Sequence, residues 1–175
     1  DPVVAAAGLR QLIPAPDSVQ DAVAQIIADV RARGDEAVRE YTRRFDRGER
    51  DSDPLRIPED ELQRAATRLA PQLRGGLELA IENVHAIACA WDFERERTVD
   101  LRTHEVRLRR APVGRAGVYV PGGRAPYPST VVMGVTTARA AGVPEIAVCA
   151  PPASGGEIDP AILGACALTG ATDVY

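Results

Sequence analysis

The sequence predicts an α/β fold in three successive parts: a helical N-terminal lead, a short β-hairpin, and the start of a parallel βαβαβ unit that is left incomplete. Three observations carry this expectation. Residues 17 to 92 place apolar side chains at helical spacing. Residues 97 to 120 alternate apolar with polar. From residue 115 onward, strand and helix patterns take turns.

The lead begins with Ser18 as a candidate N-cap, Asp21 standing three residues on as a shorter version of the capping-box acid. Val19, Val23, Ile26, Ile27 and Val30 follow at the spacing of one helix face. Gly34 suits a C-terminal cap and Asp35 can start a second helix, on which Val38, Tyr41 and Phe45 share a face. A short strand is expected at 55–57. Pro58, followed by Glu59, Asp60 and Glu61, predicts a third helix, because proline suits the first turn and acids complement the dipole there. Leu62, Ala66 and Leu69 continue that pattern. Pro71 starts a fourth helix with Leu73, Leu77, Ile81, Val84, Ala88 and Trp91 as its apolar positions, weakened in its first turns by Gly75 and Gly76.

The alternating middle predicts strands at about 97–103, 105–111 and 115–120. A helix is expected from Ser129 to Ala141 with Gly142 ending it, then a strand through EIAVCA, a helix at 160–168 ending at Gly170, and a third strand from Asp173. AAGVPEIAV and LTGATDVY repeat one plan, a helix end, a glycine, two linking residues, an acid and an apolar strand. Such units form right-handed parallel sheets. Only a few residues of the third strand precede the last residue, and an edge of that kind would lack its covering helix. The expectation is therefore the front part of a longer polypeptide.

The totals narrow the function classes. The 175 residues carry a net charge of −4 with acids and bases interspersed, which argues against a nucleic-acid face. Aromatic side chains make up 4% of the chain, too few for a base-stacking platform. No apolar run is long enough to span a membrane, and the N-terminus lacks the features of a secretory signal, so the cytoplasm is the expected location. Cys89, Cys149 and Cys166 fit no zinc spacing and read as small buried hydrophobes in a reducing compartment. Every basic residue is Arg, which excludes a lysine Schiff base within this segment.

GVYVPGGRAPYPS, residues 117–129, is the most punctuated stretch. In an open parallel sheet, ligands bind beyond the carboxyl ends of the strands, and this loop leaves the first of them. Tyr119 and Pro121 lie on the same side of an extended segment. Gly122 and Gly123 permit positive φ or close approach, three prolines stiffen the loop, and Ser129 or Thr130 can cap the following helix. A tyrosine face, a flat proline and backbone amides make a plausible wall for a nucleotide. A purely structural turn, with Tyr119 a half-buried strand residue, fits the same residues. The glycines do not form G-x-G-x-x-G, and the second strand ends in Cys-Ala-Pro-Pro with no acid for a ribose, so an ordinary dinucleotide site is disfavoured.

The pattern as a whole resembles the histidinol dehydrogenase family. The resemblance is carried by VYVPGGRAPYPSTVVM, by IIADVRARGDEAVREYTRRFD upstream and by ARAAGVPEIAVCAPP downstream. It implies a zinc- and NAD-dependent homodimer that oxidises L-histidinol to L-histidine through an aldehyde, with two incomplete Rossmann-like domains. Residues 1–112 would open the larger domain, and 113–175 would begin a Rossmann-like NAD-binding domain. By the same resemblance Tyr119 contacts NAD, Pro121 neighbours it, and Phe45 lies near the cofactor. Read by itself, Phe45 is an apolar anchor of its helix. The zinc ligands, the Glu-His acid/base pair and the substrate contacts are expected downstream of Tyr175, so this segment supplies no catalytic or metal residue. His85 and His104 read as surface or packing residues, neither with a ligand-like partner at a fixed helical offset. Where the family commonly shows Asn and Pro, this chain has Gly134 and Thr137, which leaves open a paralogue acting on another small alcohol. A non-catalytic α/β fragment is the third reading.

Overall fold

The computed structural model describes residues 17–45, 55–90, 96–122, 125–153 and 156–175. The chain divides into two compact units, Asp1–Phe45 and Asp46–Tyr175.

The described part of the first unit is a helix pair, α1 (Asp17–Arg33) and α2 (Asp35–Phe45). Gly34 breaks the run where expected: its φ of +59° is left-handed, a region glycine enters without steric cost, and its N–H donates to Val30 O at 2.8 Å. A polar network ties the helices together. The Tyr41 hydroxyl donates to Asp29 at 2.8 Å, and Arg33 donates to Asp29 and to Glu40. The Tyr41 hydrogen bond, and after it Arg33, holds the Asp29 carboxyl below its ordinary range. Val19, Val23 and Ile27 of the predicted apolar stripe are exposed, while Ala37 is buried. The Ser18 side chain and Trp91 lie outside the described residues.

The second unit holds α3 (Glu59–Arg68), α4 (Pro71–Ala90), a hairpin β1 (Glu96–Leu101) and β2 (His104–Arg109), and then β3 (Arg115–Tyr119), α5 (Pro128–Ala140), β4 (Glu145–Cys149), α6 (Pro160–Thr169) and β5 (Asp173–Val174). The expected parallel unit is present: β3, β4 and β5 pair in sequential order, Val118 beside Val148 and Val148 beside Val174. Right-handed crossovers in sequential order put both helices on one face of the sheet. That face is formed by the even-numbered residues. Ile146, Val148 and Val174 are buried there with Val131, Val132 and Val135 of α5 and Ile162, Leu163 and Cys166 of α6. Burial pushes the Cys166 thiol up to about 12, so it behaves as a small hydrophobe. A helix apolar on every side needs cover on every side. α6 meets that condition by packing against α3 and α5, its buried residues joining the same core as the strands, while α4 packs on α5.

Two close approaches set the layer spacing. A Cβ on Gly134 would stand 2.7 Å from Val118 Cγ1, and one on Gly164 would stand 2.7 Å from Leu69 Cδ1. Gly75 and Gly76 have open space around them. The internal repeat is realised in the backbone. Gly142 and Gly170 have φ of +85° and +70°, and the next residue of each donates back to a helix carbonyl, Val143 to Ala138 and Ala171 to Cys166. Both are Schellman endings that launch a strand.

Two expectations about local structure are corrected. Residues 55–57 do not form a strand; a bend there contributes a single sheet bond, Ile57 N–H to Val174 O at 2.8 Å. Neither Ser129 nor Thr130 caps α5. Pro128 takes the first helical position, where its fixed φ suits the turn, so the cap falls on Tyr127 and no side chain fills it.

Candidate functional site

The carboxyl ends of β3, β4 and β5 come together at one edge of the second unit. Backbone bonds lace them past the ends of the regular strands: Val120 N–H donates to Cys149 O, and Ala150 N–H donates to Tyr175 O. Gly122, after β3, is seated on Pro151, after β4. A Cβ on Gly122 would come within 2.7 Å of Pro151 Cγ, so glycine is required by close approach. Its φ is not positive, so of the two roles open to this glycine only the steric one operates. Gly123 lies outside the described residues.

Tyr119 is the last residue of β3 and is 69% exposed. Pro121 is also exposed. The structure brings these two together at the strand end, facing solvent. Tyr119 is therefore not the half-buried residue that the structural-turn reading describes. The parallel register sets Tyr119 beside Cys149, and the pairing of Val148 with Val174 sets Cys149 beside Tyr175. All three are odd-numbered and exposed, on the face opposite α5 and α6. The sequence reading of Cys149 and Cys89 as small buried hydrophobes is corrected, since both are exposed and only Cys166 is buried, and Tyr175 was not singled out from the sequence. The signal that joins Cys149 and Tyr175 to the row is strand parity combined with register, and register between parallel strands is not written in either strand alone. Partial burial raises the Cys149 thiol, which keeps it neutral at ordinary pH. The strand ends thus offer a tyrosine ring, an uncharged thiol and a second tyrosine ring along one row, with stiff Pro-Gly backbone above them.

Phe45 ends α2 in the first unit and is 59% exposed. Its ring stacks on Tyr41, with centroids 5.8 Å apart and planes 2° from parallel, and the Arg44 guanidinium stands 5.1 Å from its centroid. The anchoring of Phe45 is thus aromatic and local to its helix.

His85 and His104 are exposed, on α4 and at the start of β2. The expectation that neither has a partner at a helical offset fails for His85: Cys89 stands four residues on, with Sγ 3.5 Å from Nε2. Among the described residues no three or more His, Cys, Asp or Glu side chains converge as a metal site, so these residues do not make up the donor set a zinc centre needs. A cleft of about 300 Å³ opens beside Thr172, lined by Arg56, Ile57, Pro58, Glu59 and Leu62. It lies at the amino end of β5, away from the Tyr119 row, and Arg56 there is paired with Asp173. Among the described residues no helix is long and apolar enough to cross a membrane.

Comparison with known proteins agrees with this architecture. The family model described as histidinol dehydrogenase matches residues 13–175. Histidinol dehydrogenase of Geobacter sulfurreducens is 43% identical over 162 residues, covering 90% of this chain and 37% of that protein. The Cereibacter sphaeroides enzyme is 44% identical over 157 residues, with 90% and 36% covered. The crystal structure of histidinol dehydrogenase from Elizabethkingia anophelis superposes with a TM-score of 0.81 at 27% identity, covering 93% of this chain and 37% of that one. The chain thus spans little more than a third of the length of these relatives, and over that span it belongs to the histidinol dehydrogenase family.

Proposed function

We propose that this chain is the N-terminal, cofactor-side portion of an enzyme that oxidises L-histidinol to L-histidine with NAD, through the aldehyde, in histidine biosynthesis. The observation that carries the reading is the exposed Tyr119 at the end of β3, seated beside the Pro121-Gly122 turn in a chain of this family. In this reading Tyr119 offers a ring face to a flat ring of NAD and Pro121 forms the adjacent wall, while Phe45 is carried as a cofactor-side residue by the family resemblance alone. The packing of Gly122 on Pro151 holds the loop in shape before the cofactor arrives, which lowers the entropy lost on binding. The neutral Cys149 thiol beside Tyr119 adds no charge to the row.

NAD supplies the hydride acceptor, and zinc in the whole enzyme would steady the substrate's oxygen. In this proposal the zinc ligands, the acid/base pair and the substrate contacts belong to residues beyond Tyr175, as the family resemblance implies. The same proposal includes a homodimer in the cytoplasm and a division at about residue 112, the stretch to that point opening the larger domain and 113–175 opening the NAD-binding one. The 175-residue segment by itself is expected to be inactive.

The departure at Gly134 coincides with a close approach. A Cβ there would stand 2.7 Å from Val118 Cγ1, so the glycine reports how closely α5 sits on β3, and with Thr137 it leaves a paralogue acting on another small alcohol as the alternative.

The test is kinetic, in the complete enzyme containing this chain, with L-histidinol as substrate and zinc present. Loss of one stacked ring contact, about 1 kcal/mol, predicts that Tyr119→Ala raises KM for NAD several-fold to about tenfold while kcat changes less. Unchanged NAD dependence would remove Tyr119 from the site. Absence of NADH formation from L-histidinol in the wild type would sink the substrate assignment.

A further inference from the structure

The row at the carboxyl ends of the strands holds two tyrosine rings, and the proposed cofactor site uses only Tyr119. Tyr175 directly follows β5 and is 44% exposed. Its backbone is held from both directions: its N–H donates to Val148 O at 2.9 Å, and its carbonyl accepts from Ala150 N–H at 3.0 Å. The parallel register places Tyr119 on one side of Cys149 and Tyr175 on the other. Successive residues of a strand point to opposite faces, so all three share the face turned away from α5 and α6. The two tyrosine rings are not in contact with each other.

The spacing of that row decides what fits between the rings. Neighbouring strands lie about 4.8 Å apart, so two strand steps separate Tyr119 from Tyr175 by about 9.6 Å. Offset-stacked rings place their centroids from about 4.5 Å apart, so one flat ring stacked on both tyrosines needs about 9–10 Å between them. Two inserted rings would need about 13.5 Å or more. The row therefore takes one ring. Its floor suits an uncharged one. Cys149 is small, and partial burial keeps its thiol neutral. The same face continues toward the amino ends with Gly117 and Ala147, and a Cβ on Gly117 would meet nothing within 4 Å. The charges of this face stand beyond them at the amino ends, where Arg115 pairs with Glu145 and Asp173 with Arg56.

We infer that Tyr175 is the second wall of the cofactor site, and that one flat heteroaromatic ring of NAD, adenine or nicotinamide, stacks between Tyr119 and Tyr175 over Cys149. The inference rests on the NAD role proposed above and adds the residue that closes the slot. Binding is by ring contact alone, with no bond made or broken.

The test uses the complete enzyme containing this chain, loaded with zinc. NADH binding is followed by its fluorescence, KM for NAD and kcat are measured with L-histidinol, and thermal midpoints are recorded. Tyr175→Leu keeps apolar bulk and removes the flat face. It should weaken NADH binding and raise KM for NAD several-fold to about tenfold, with kcat changed by less than about twofold. Tyr175→Phe keeps the face and should stay within about twofold of wild type. A role confined to packing would lower the thermal midpoint of Tyr175→Leu without that split between KM and kcat. Competition identifies the ring: Tyr175→Leu should weaken inhibition by ADP-ribose if adenine is held, or by nicotinamide mononucleotide if nicotinamide is held. The inference is overturned, with the NAD role intact, if Tyr119→Ala weakens NADH binding and Tyr175→Leu does not, if Tyr175→Phe loses as much as Tyr175→Leu, or if neither competitor weakens. Unchanged NADH binding in both the Tyr119 and Tyr175 variants, or no binding by the wild type, overturns this inference and the NAD role together.

Discussion

The second unit contains two sets of alternating strands that met opposite fates. In β3, β4 and β5 the even-numbered residues turn toward α5 and α6, and Ile146 is 1% exposed. In the hairpin β1–β2, Arg97, Val99 and Leu101 share a face with Leu108, Val106 and His104 by register, yet every hairpin residue except Val99 is exposed. Leu108 is 54% exposed. Both regions alternate apolar with polar. Alternation decides which side chains share a face, whereas stability comes from what lies against that face. A two-stranded ribbon without a packed face is marginal in water.

The largest expected effect tests this difference directly. Ile146→Ala should cost the 175-residue chain about 3 kcal/mol in urea unfolding, through lost burial and a residual cavity. Leu108→Ala should stay within about 0.5 kcal/mol. Comparable losses at the two positions would mean that the hairpin face is covered in solution.

Glycines sharpen the same contrast at smaller magnitude. Gly134→Ala should destabilise by about 1–3 kcal/mol, because its Cβ meets a β-branched strand residue that cannot swing aside. Gly75→Ala, in open space within α4, should stabilise by about 0.5–1 kcal/mol by reducing the freedom of the unfolded chain and raising helix propensity. Thermal midpoints moving in opposite directions for these two variants would check both. A Gly134→Ala variant as stable as wild type would break the claim that α5 is seated directly on β3.

Much of this architecture was legible in the sequence because its signals are local. Gly34, Gly142 and Gly170 are all left-handed helix ends. The sequence reading went wrong where two local signals competed, as when Pro128 displaced Ser129 and Thr130 from the cap of α5. At residues 55–57 the local pattern suggested a strand, but pairing with a distant edge produced only one bond. The site was half legible. Tyr119 and Pro121 stand out beside a punctuated turn, whereas Cys149 and Tyr175 join the row only through register. The closeness of Cys89 to His85 could have been noticed from their spacing alone, since an offset of four on a long helix is a sequence property.

Periodicity, capping and turn chemistry act within a few residues of the chain, so the sequence by itself determined the order of the helices and paired strands, the glycine-marked helix ends and the parallel βαβαβ plan. Tertiary structure alone decided that Gly134, Gly164 and Gly122 are sites of contact between segments, that one alternating pair of strands is left uncovered, and that a tyrosine, a thiol and a second tyrosine form one row. The reason is that each of those facts depends on the distance between atoms far apart in the chain, and only the packed layers set that distance.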